Sequence, residues 1–204
     1  MNKVLYLASQ SSSRKYLIEQ LDIPFQVFPQ SADEQACDWT LPLEQLVDSI
    51  ALHKMESLDC SYLPQWDTTL WVVTADTLGQ DGQGRIYGKP RDRVDAINQI
   101  KNQRNQWMRV ATSYYLDRKK RMDDCWIIDQ RVTKTVVSSL YFSIADHEID
   151  AYITKAGALQ CAGSITIDGF GAPFVKEVQG SYSSIIGLPL YELMQDLKSL
   201  GFYE

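Results

Sequence analysis

The sequence predicts an α/β protein, and three stretches predict it. Residues 4–7 form a short apolar run that reads as a buried strand, and a helical pattern with Leu17, Ile18 and Leu21 on one face follows it. Residues 70–76 are apolar on both faces until the last one, as a central parallel strand is. Leu190, Leu193, Met194 and Leu197 repeat at helical spacing and close the chain.

The 204 residues suffice for one domain with a good core, or for two small lobes. The net charge of −6 argues against broad electrostatic binding to nucleic acid and leaves room for a local basic pocket that takes a small polyanion. Neither a signal peptide nor a long apolar run is read in the sequence, so no membrane association is expected. Cys37, Cys60, Cys125 and Cys161 are scattered without a CxxC pair, and His53 and His147 are the two histidines. A zinc site is not expected; reduced thiols in a cytosol are.

Lys3-Val4-Leu5-Tyr6-Leu7-Ala8-Ser9-Gln10-Ser11-Ser12-Ser13-Arg14-Lys15 passes from strand to helix through hydroxyl residues, with Ser13 as the expected N-cap. Arg14 and Lys15 then fall in the first helical turn, where the helix dipole disfavours cations unless an anion joins them. The stretch reads as a phosphate site, with an ordinary polar turn as the alternative. A turn at 22–24, a strand over 25–28 and a polar loop over 30–35 follow. Asp33 and Glu34 in that loop are either plainly solvated or, at a strand end, able to help hold a divalent cation.

Thr40 is the expected cap of the next helix, with Pro42 in its first turn. Its apolar face, Leu43, Leu46, Val47 and Ile50, continues onto Lys54. A lysine on a buried stripe either snorkels to water or carries its charge inward toward an anion; a second such lysine, Lys89, favours the inward reading. Residues 58–67 read as a connection. Asp76 falls at the expected carboxyl end of the central strand, where open α/β sheets place ligands. A buried carboxylate there is costly unless paired or on a metal, which makes Asp76 the leading catalytic candidate, with a capping role as the alternative.

Residues 80–84 read as a tight hairpin reversal, and Gly88-Lys89-Pro90 returns the chain toward Asp76 with Lys89 held extended by Pro90. A helix over 91–104 with Val94, Ile97 and Ile100 inward, a strand over 108–116 and strand structure over 126–142 come next. Arg118-Lys119-Lys120-Arg121 reads as a solvated basic turn between strands. A short helix is expected over 146–154 and a small-residue segment over 155–171. In that segment Asp168-Gly169 is either a plain turn or a loop laying a carboxylate against a base. A strand over 174–178 and a turn over 180–184 precede the last helix.

Four motifs in order, Leu7-Ala8-Ser9-Gln10-Ser11-Ser12-Ser13-Arg14-Lys15, Thr74-Ala75-Asp76-Thr77, Gly88-Lys89-Pro90 and Gly187-Leu188-Pro189-Leu190, resemble the Maf family of nucleoside triphosphate pyrophosphatases. The resemblance spans nearly the whole chain. It implies one Maf/ITPase-like domain over 1–204, with two lobes around a central cleft and a mixed, strongly twisted sheet flanked by helices. It also implies a cytoplasmic homodimer that cleaves a nucleoside triphosphate to the monophosphate and pyrophosphate with Mg or Mn. By the same resemblance Ser9, Arg14, Lys15, Lys54 and Lys89 bind the triphosphate, Asp76 is the general base, and Glu34 and Asp76 lie at the metal. Lys15 stands where the family usually has a second arginine; it keeps the charge and loses the planar fork, so a weaker phosphate grip is expected.

One branch of the family carries Ile-Gln-Gly where this chain has Ile167-Asp168-Gly169, and resembles dTTP/UTP enzymes. Cys161-Ala162-Gly163-Ser164 and Asp168-Gly169-Phe170-Gly171 look more like the branch acting on 7-methyl-GTP, which has glutamate at the Asp168 position. Guanine offers two adjacent donors that a carboxylate accepts together, and methylation at N7 adds a positive charge. Ser13 and Thr77, the other specificity positions, differ from what that branch usually shows. The expectation is a 7-methyl-GTP pyrophosphatase; the alternatives are a dTTP/UTP-type enzyme and a nucleotide-binding cell-division regulator with little turnover.

Overall fold

The computed structural model describes residues 3–62, 68–123 and 125–204. Its strands are β1 (Leu5–Leu7), β2 (Phe25–Val27), β3 (Thr69–Gln80), β4 (Ile86–Tyr87), β5 (Gln106–Met122), β6 (Cys125–Phe142) and β7 (Val175–Gln179). Its α-helices are α1 (Ser12–Glu19), α2 (Leu43–Glu56), α3 (Arg93–Gln103), α4 (Ile149–Lys155), α5 (Tyr182–Ile186) and α6 (Leu190–Ser199). The strands form one mixed sheet in the order β2-β1-β3-β5-β6-β7, with β4 on β3. β1 runs parallel to β2 and β3, while β4 is antiparallel to β3 and β7 to β6. The α/β expectation is met.

The chain divides into two compact units: Met1–Asp76 with Ser113–Thr135 and Gly187–Glu204, and Thr77–Thr112 with Val136–Ile186. In the first unit, β1 is buried along its length and the inward stripe of α2 packs over the sheet. Tyr6, Ala8, Phe28, Ala51, Met55, Leu70, Val72 and Tyr115 form one apolar cluster there. In the second unit, Ala96 and Ile100 of α3 and Ile149, Tyr152 and Ile153 of α4 pack on Met108, Val110, Leu140 and Phe142. Tyr152 meets the rings of Phe142 and Phe174 edge-on.

Several expectations need correction. The N-cap of α1 is Ser11, not Ser13: Ser11 is extended and its side chain accepts from the Arg14 N–H. Leu21 lies beyond the end of that helix. Thr40 does not cap α2; its hydroxyl donates to Asp38, and the helix starts behind Pro42. β3 does not stop at Asp76 but continues to Gln80, because the return strand β4 pairs with Gly79 and Gln80. Its parallel pairing with β1 ends earlier, at Leu7 against Val73, so Asp76 sits just past that ladder.

Val94 is exposed, since α3 buries Ala96, Gln99, Ile100 and Gln103 instead. Residues 182–186, partly expected as a turn, form the short helix α5. On α6 the buried face holds Leu193, Asp196 and Leu197, with Leu190 and Met194 half-buried. Of the connection expected over 58–67, residues 63–67 lie outside the described residues. Among the described residues, no helix is long and apolar enough to cross a membrane.

The basic run at 118–121 is not a turn. It lies within β5, and its charges are answered across the first unit. Arg118 and Lys120 pair with Asp129, at 2.5 and 2.9 Å. Lys119, nearly buried, pairs with the fully buried Asp117, which also receives Arg131 through two hydrogen bonds of 2.7 and 2.8 Å. Removing Asp117 leaves a buried ammonium alone, so Asp117→Ala should cost about 3–5 kcal/mol in urea unfolding. Lys120→Ala, at a half-exposed pair, should cost under about 1 kcal/mol. Equal unfolding midpoints for the two variants would contradict this assignment.

Candidate active site

Seven of the predicted site residues lie in the first unit, and five of them, Ser9, Arg14, Glu34, Lys54 and Asp76, interact there. β1 ends at Leu7, and the chain turns so that the Ser9 hydroxyl accepts from the Ser11 N–H at 3.2 Å and from Arg14 Nη1 at 3.3 Å. Arg14 is the third residue of α1 and is buried; its Nε donates to the Gly187 carbonyl at 2.8 Å. The guanidinium is thus held on one edge by a backbone carbonyl and on another by a hydroxyl. Burial lowers the pKa of Arg14, against the opposing pull of Asp76 and Glu34.

Lys54 lies one turn beyond Ile50 on the inward face of α2, where the sequence placed it, and is 6% exposed. Its ammonium does not snorkel. Nζ donates to Asp76 Oδ1 at 2.5 Å and meets Glu34 Oε1 at 2.8 Å. The Thr74 hydroxyl donates to the Ala51 carbonyl at 2.9 Å, which sets β3 against α2 two residues before Asp76 and three before Lys54. Asp76 is buried, and its Oδ2 has no hydrogen-bond partner among the described residues. Burial pushes the Asp76 carboxyl above its ordinary range, opposed by Lys54 and then Arg14.

Of the two adjacent acids in the loop, Asp33 is the structural one. It caps a 3-10 turn by accepting from the Gln35 N–H at 3.0 Å, and this aims Glu34 at Lys54. Ser13 is half-buried and Lys15 exposed on α1.

The second unit carries the remaining predicted residues. The Thr77 hydroxyl is 2.9 Å from that of Thr112, which donates to the Ser184 carbonyl. Lys89 is exposed on the extended segment between β4 and α3. Asp168 is half-buried and accepts from the Thr166 hydroxyl at 2.5 Å. The Cys161 thiol is pushed up by burial and by Asp168 and drawn down by Lys89, so all three share one electrostatic neighbourhood.

Sequence reasoning gave no role to Gly187, although its motif was noted, because a backbone carbonyl leaves no mark in the residue type. It also missed Cys37, whose thiol is raised by burial first, feels Asp76, Glu34 and Lys54, and bonds to Ser49. Only its place beside Glu34 in the loop could have hinted at this.

Among the described residues, no group of three or more His, Cys, Asp or Glu side chains is placed to hold a metal ion. Mg²⁺ does not ask for one: it is commonly held by one or two carboxylates, substrate phosphates and waters. The free Oδ2 of Asp76 and the Glu34 carboxylate supply that kind of oxygen set. Arg14, Lys54, Asp76 and Glu34 sum to zero formal charge, so a bound polyphosphate would need further cations.

The family described as Maf-like protein matches residues 4–200. A protein of Desulfotalea psychrophila named dTTP/UTP pyrophosphatase is 33% identical, over 96% of this chain and 94% of its own length. One of Trichodesmium erythraeum named nucleoside triphosphate pyrophosphatase is also 33% identical, with the same coverage. A dTTP/UTP pyrophosphatase of Albidiferax ferrireducens is 31% identical over 99% of both chains. With a family match from its first strand to its last helix, and relatives a third identical along the same span, this chain belongs to the Maf-like protein family.

Proposed function

We propose that this chain is a nucleoside triphosphate pyrophosphatase, a hydrolase of the anhydride between the α- and β-phosphates. The observation that carries the reading is the buried Lys54–Asp76 pair, with one carboxylate oxygen of Asp76 left uncommitted. A buried carboxylate oxygen without a partner is uncommon and is available to a ligand. A free, buried carboxylate oxygen with a raised proton affinity suits a general base that takes a proton from the water attacking the α-phosphorus, a water it would share with a bound divalent ion. Arg14, Lys54 and the Ser9 hydroxyl face the triphosphate; the two cations offset the negative charge that grows on the departing pyrophosphate, and the hydroxyl donates a hydrogen bond to a phosphate oxygen. Lys15 and Lys89 take the role of further triphosphate cations. Asp76 and Glu34 would hold Mg or Mn, which supplies the positive charge that the neutral cluster lacks.

For the base, the names of the relatives favour dTTP and UTP. The Thr166–Asp168 pair agrees in its chemistry. Uracil and thymine present an N3–H flanked by carbonyls; the Asp168 carboxylate accepts the N–H while the Thr166 hydroxyl turns to donate to a carbonyl. The second reading, 7-methyl-GTP, is favoured by the negative charge of Asp168 against a cationic base. Residues 1–204 act as one catalytic domain, the enzyme works as a homodimer, and it acts in the cytoplasm, where its nucleotides and four free thiols belong.

A panel of dTTP, UTP, 7-methyl-GTP and the standard triphosphates, assayed for pyrophosphate with Mg or Mn, should give the highest kcat/KM for dTTP or UTP. A clear preference for 7-methyl-GTP selects the second reading, and no release from any of them leaves a nucleotide binder. Asp76→Asn should lower kcat by about 10²–10⁴ while nucleotide still binds, and parent-like turnover would remove Asp76 from the chemistry. Asp168→Gln should keep dTTP and UTP turnover and depress that of 7-methyl-GTP; an unchanged profile means Asp168 does not face the base. Glu34→Gln should raise the metal concentration for half-maximal rate with little change at saturation, and an unaltered metal dependence would release Glu34 from that role.

A further inference from the structure

α3 buries two glutamines one turn apart, Gln99 and Gln103, at positions where a helix packed in a core normally carries apolar side chains. Buried amides are costly unless bonded; here Gln103 Nε2 and Gln99 Oε1 each bond to the same loop, while Gln103 Oε1 has no partner among the described residues. Gln103 Nε2 donates to the Gly163 carbonyl at 2.7 Å and to the Gln99 carbonyl at 2.9 Å. The Ser164 hydroxyl donates to Gln99 Oε1 at 2.8 Å. The two glutamines therefore hold two consecutive residues, and both are left-handed, with φ of 65° at Gly163 and 59° at Ser164.

That conformation is costly for a serine and survives where surroundings impose it. A Cβ on Gly163 would stand 2.6 Å from Gln103 Oε1, so the amide lies too close to this backbone for any side chain at 163. On its other side the Gly163 N–H donates to the Gly88 carbonyl at 3.0 Å. Gly88 precedes Lys89, and Cys161, two residues before Gly163, feels the charges of both Lys89 and Asp168.

We infer that Gln99 and Gln103 are positioning residues. They clamp Gly163 and Ser164 and, through the Gly163–Gly88 hydrogen bond, fix the backbone that presents Lys89 to the triphosphate. The role of Lys89 rests on the proposed function; the clamp does not.

Gln103→Met in the full chain keeps length and volume and removes the donors. Its first readout ignores activity: alkylation of Cys161 by iodoacetamide, followed by peptide mass spectrometry with Cys60 of the first unit as reference. Cys161 should react about tenfold faster, the scale of losing a buried hydrogen bond, while Cys60 is unchanged. The second readout is a double-mutant cycle. Gln103→Met and Lys89→Ala should each raise KM about tenfold with kcat less affected, and together do no more than Lys89→Ala alone.

Unchanged Cys161 labelling overturns the clamp, and additive KM effects overturn its link to Lys89. Fast Cys161 labelling beside a Lys89→Ala variant of normal KM refutes the reading of Lys89 and not the clamp. Gln99→Met carries the same two readouts should Gln103→Met fail to fold.

Discussion

The ion pair between Lys54 and Asp76 is the constraint around which the first unit is arranged. Two opposite charges about 4 Å apart attract by about 4 kcal/mol at an effective dielectric of 20, and closer charges by more. Withdrawing each from water costs several kcal/mol, so a lone pair gains little. The surroundings are built accordingly. Glu34 adds a second acid to the ammonium, Arg14 adds a second cation, and the Thr74–Ala51 hydrogen bond keeps strand and helix in register. The cluster is balanced in charge and incomplete in hydrogen bonding. The uncommitted acceptor on Asp76 is what leaves the cluster open to a ligand.

The site was legible in the sequence wherever a residue broke the pattern of its own element. Lys54 interrupts an apolar helical stripe, and Asp76 interrupts an apolar run within β3; each is found buried. Glu34 was legible only as one of two adjacent acids. What separated it from Asp33 is a capping hydrogen bond, which composition does not encode. Gly187 was legible as a motif and not as a carbonyl that steers Arg14.

Two misreadings of the fold, at α3 and in β5, share one cause: polar side chains whose partners the periodicity of their own element does not show. α3 was phased on Val94, Ile97 and Ile100, whereas its buried face carries Gln99 and Gln103 beside Ala96 and Ile100. The basic run of β5 looked like a wet turn, but Asp117 and Asp129 answer it within the sheet, and Arg131 joins Asp117 from the next strand. In both places the hydrogen-bonding partner decides the burial, and periodicity cannot see the partner. The ends of α1 and β3 moved for local reasons: a serine two places earlier makes the cap, and the return strand β4 prolongs pairing past Asp76.

The account turns on whether the free oxygen of Asp76 and the Glu34 carboxylate receive a divalent ion together with the phosphates. Electron paramagnetic resonance of Mn²⁺, titrated into the protein with a non-hydrolysable α,β-methylene dTTP analogue, measures this directly. The account predicts weak binding of Mn²⁺ alone, tight binding of one ion per chain once the analogue is present, and loss of that tight binding in Asp76→Asn. Equal Mn²⁺ affinity in the parent and the Asp76→Asn chain, with the analogue bound to both, would contradict it.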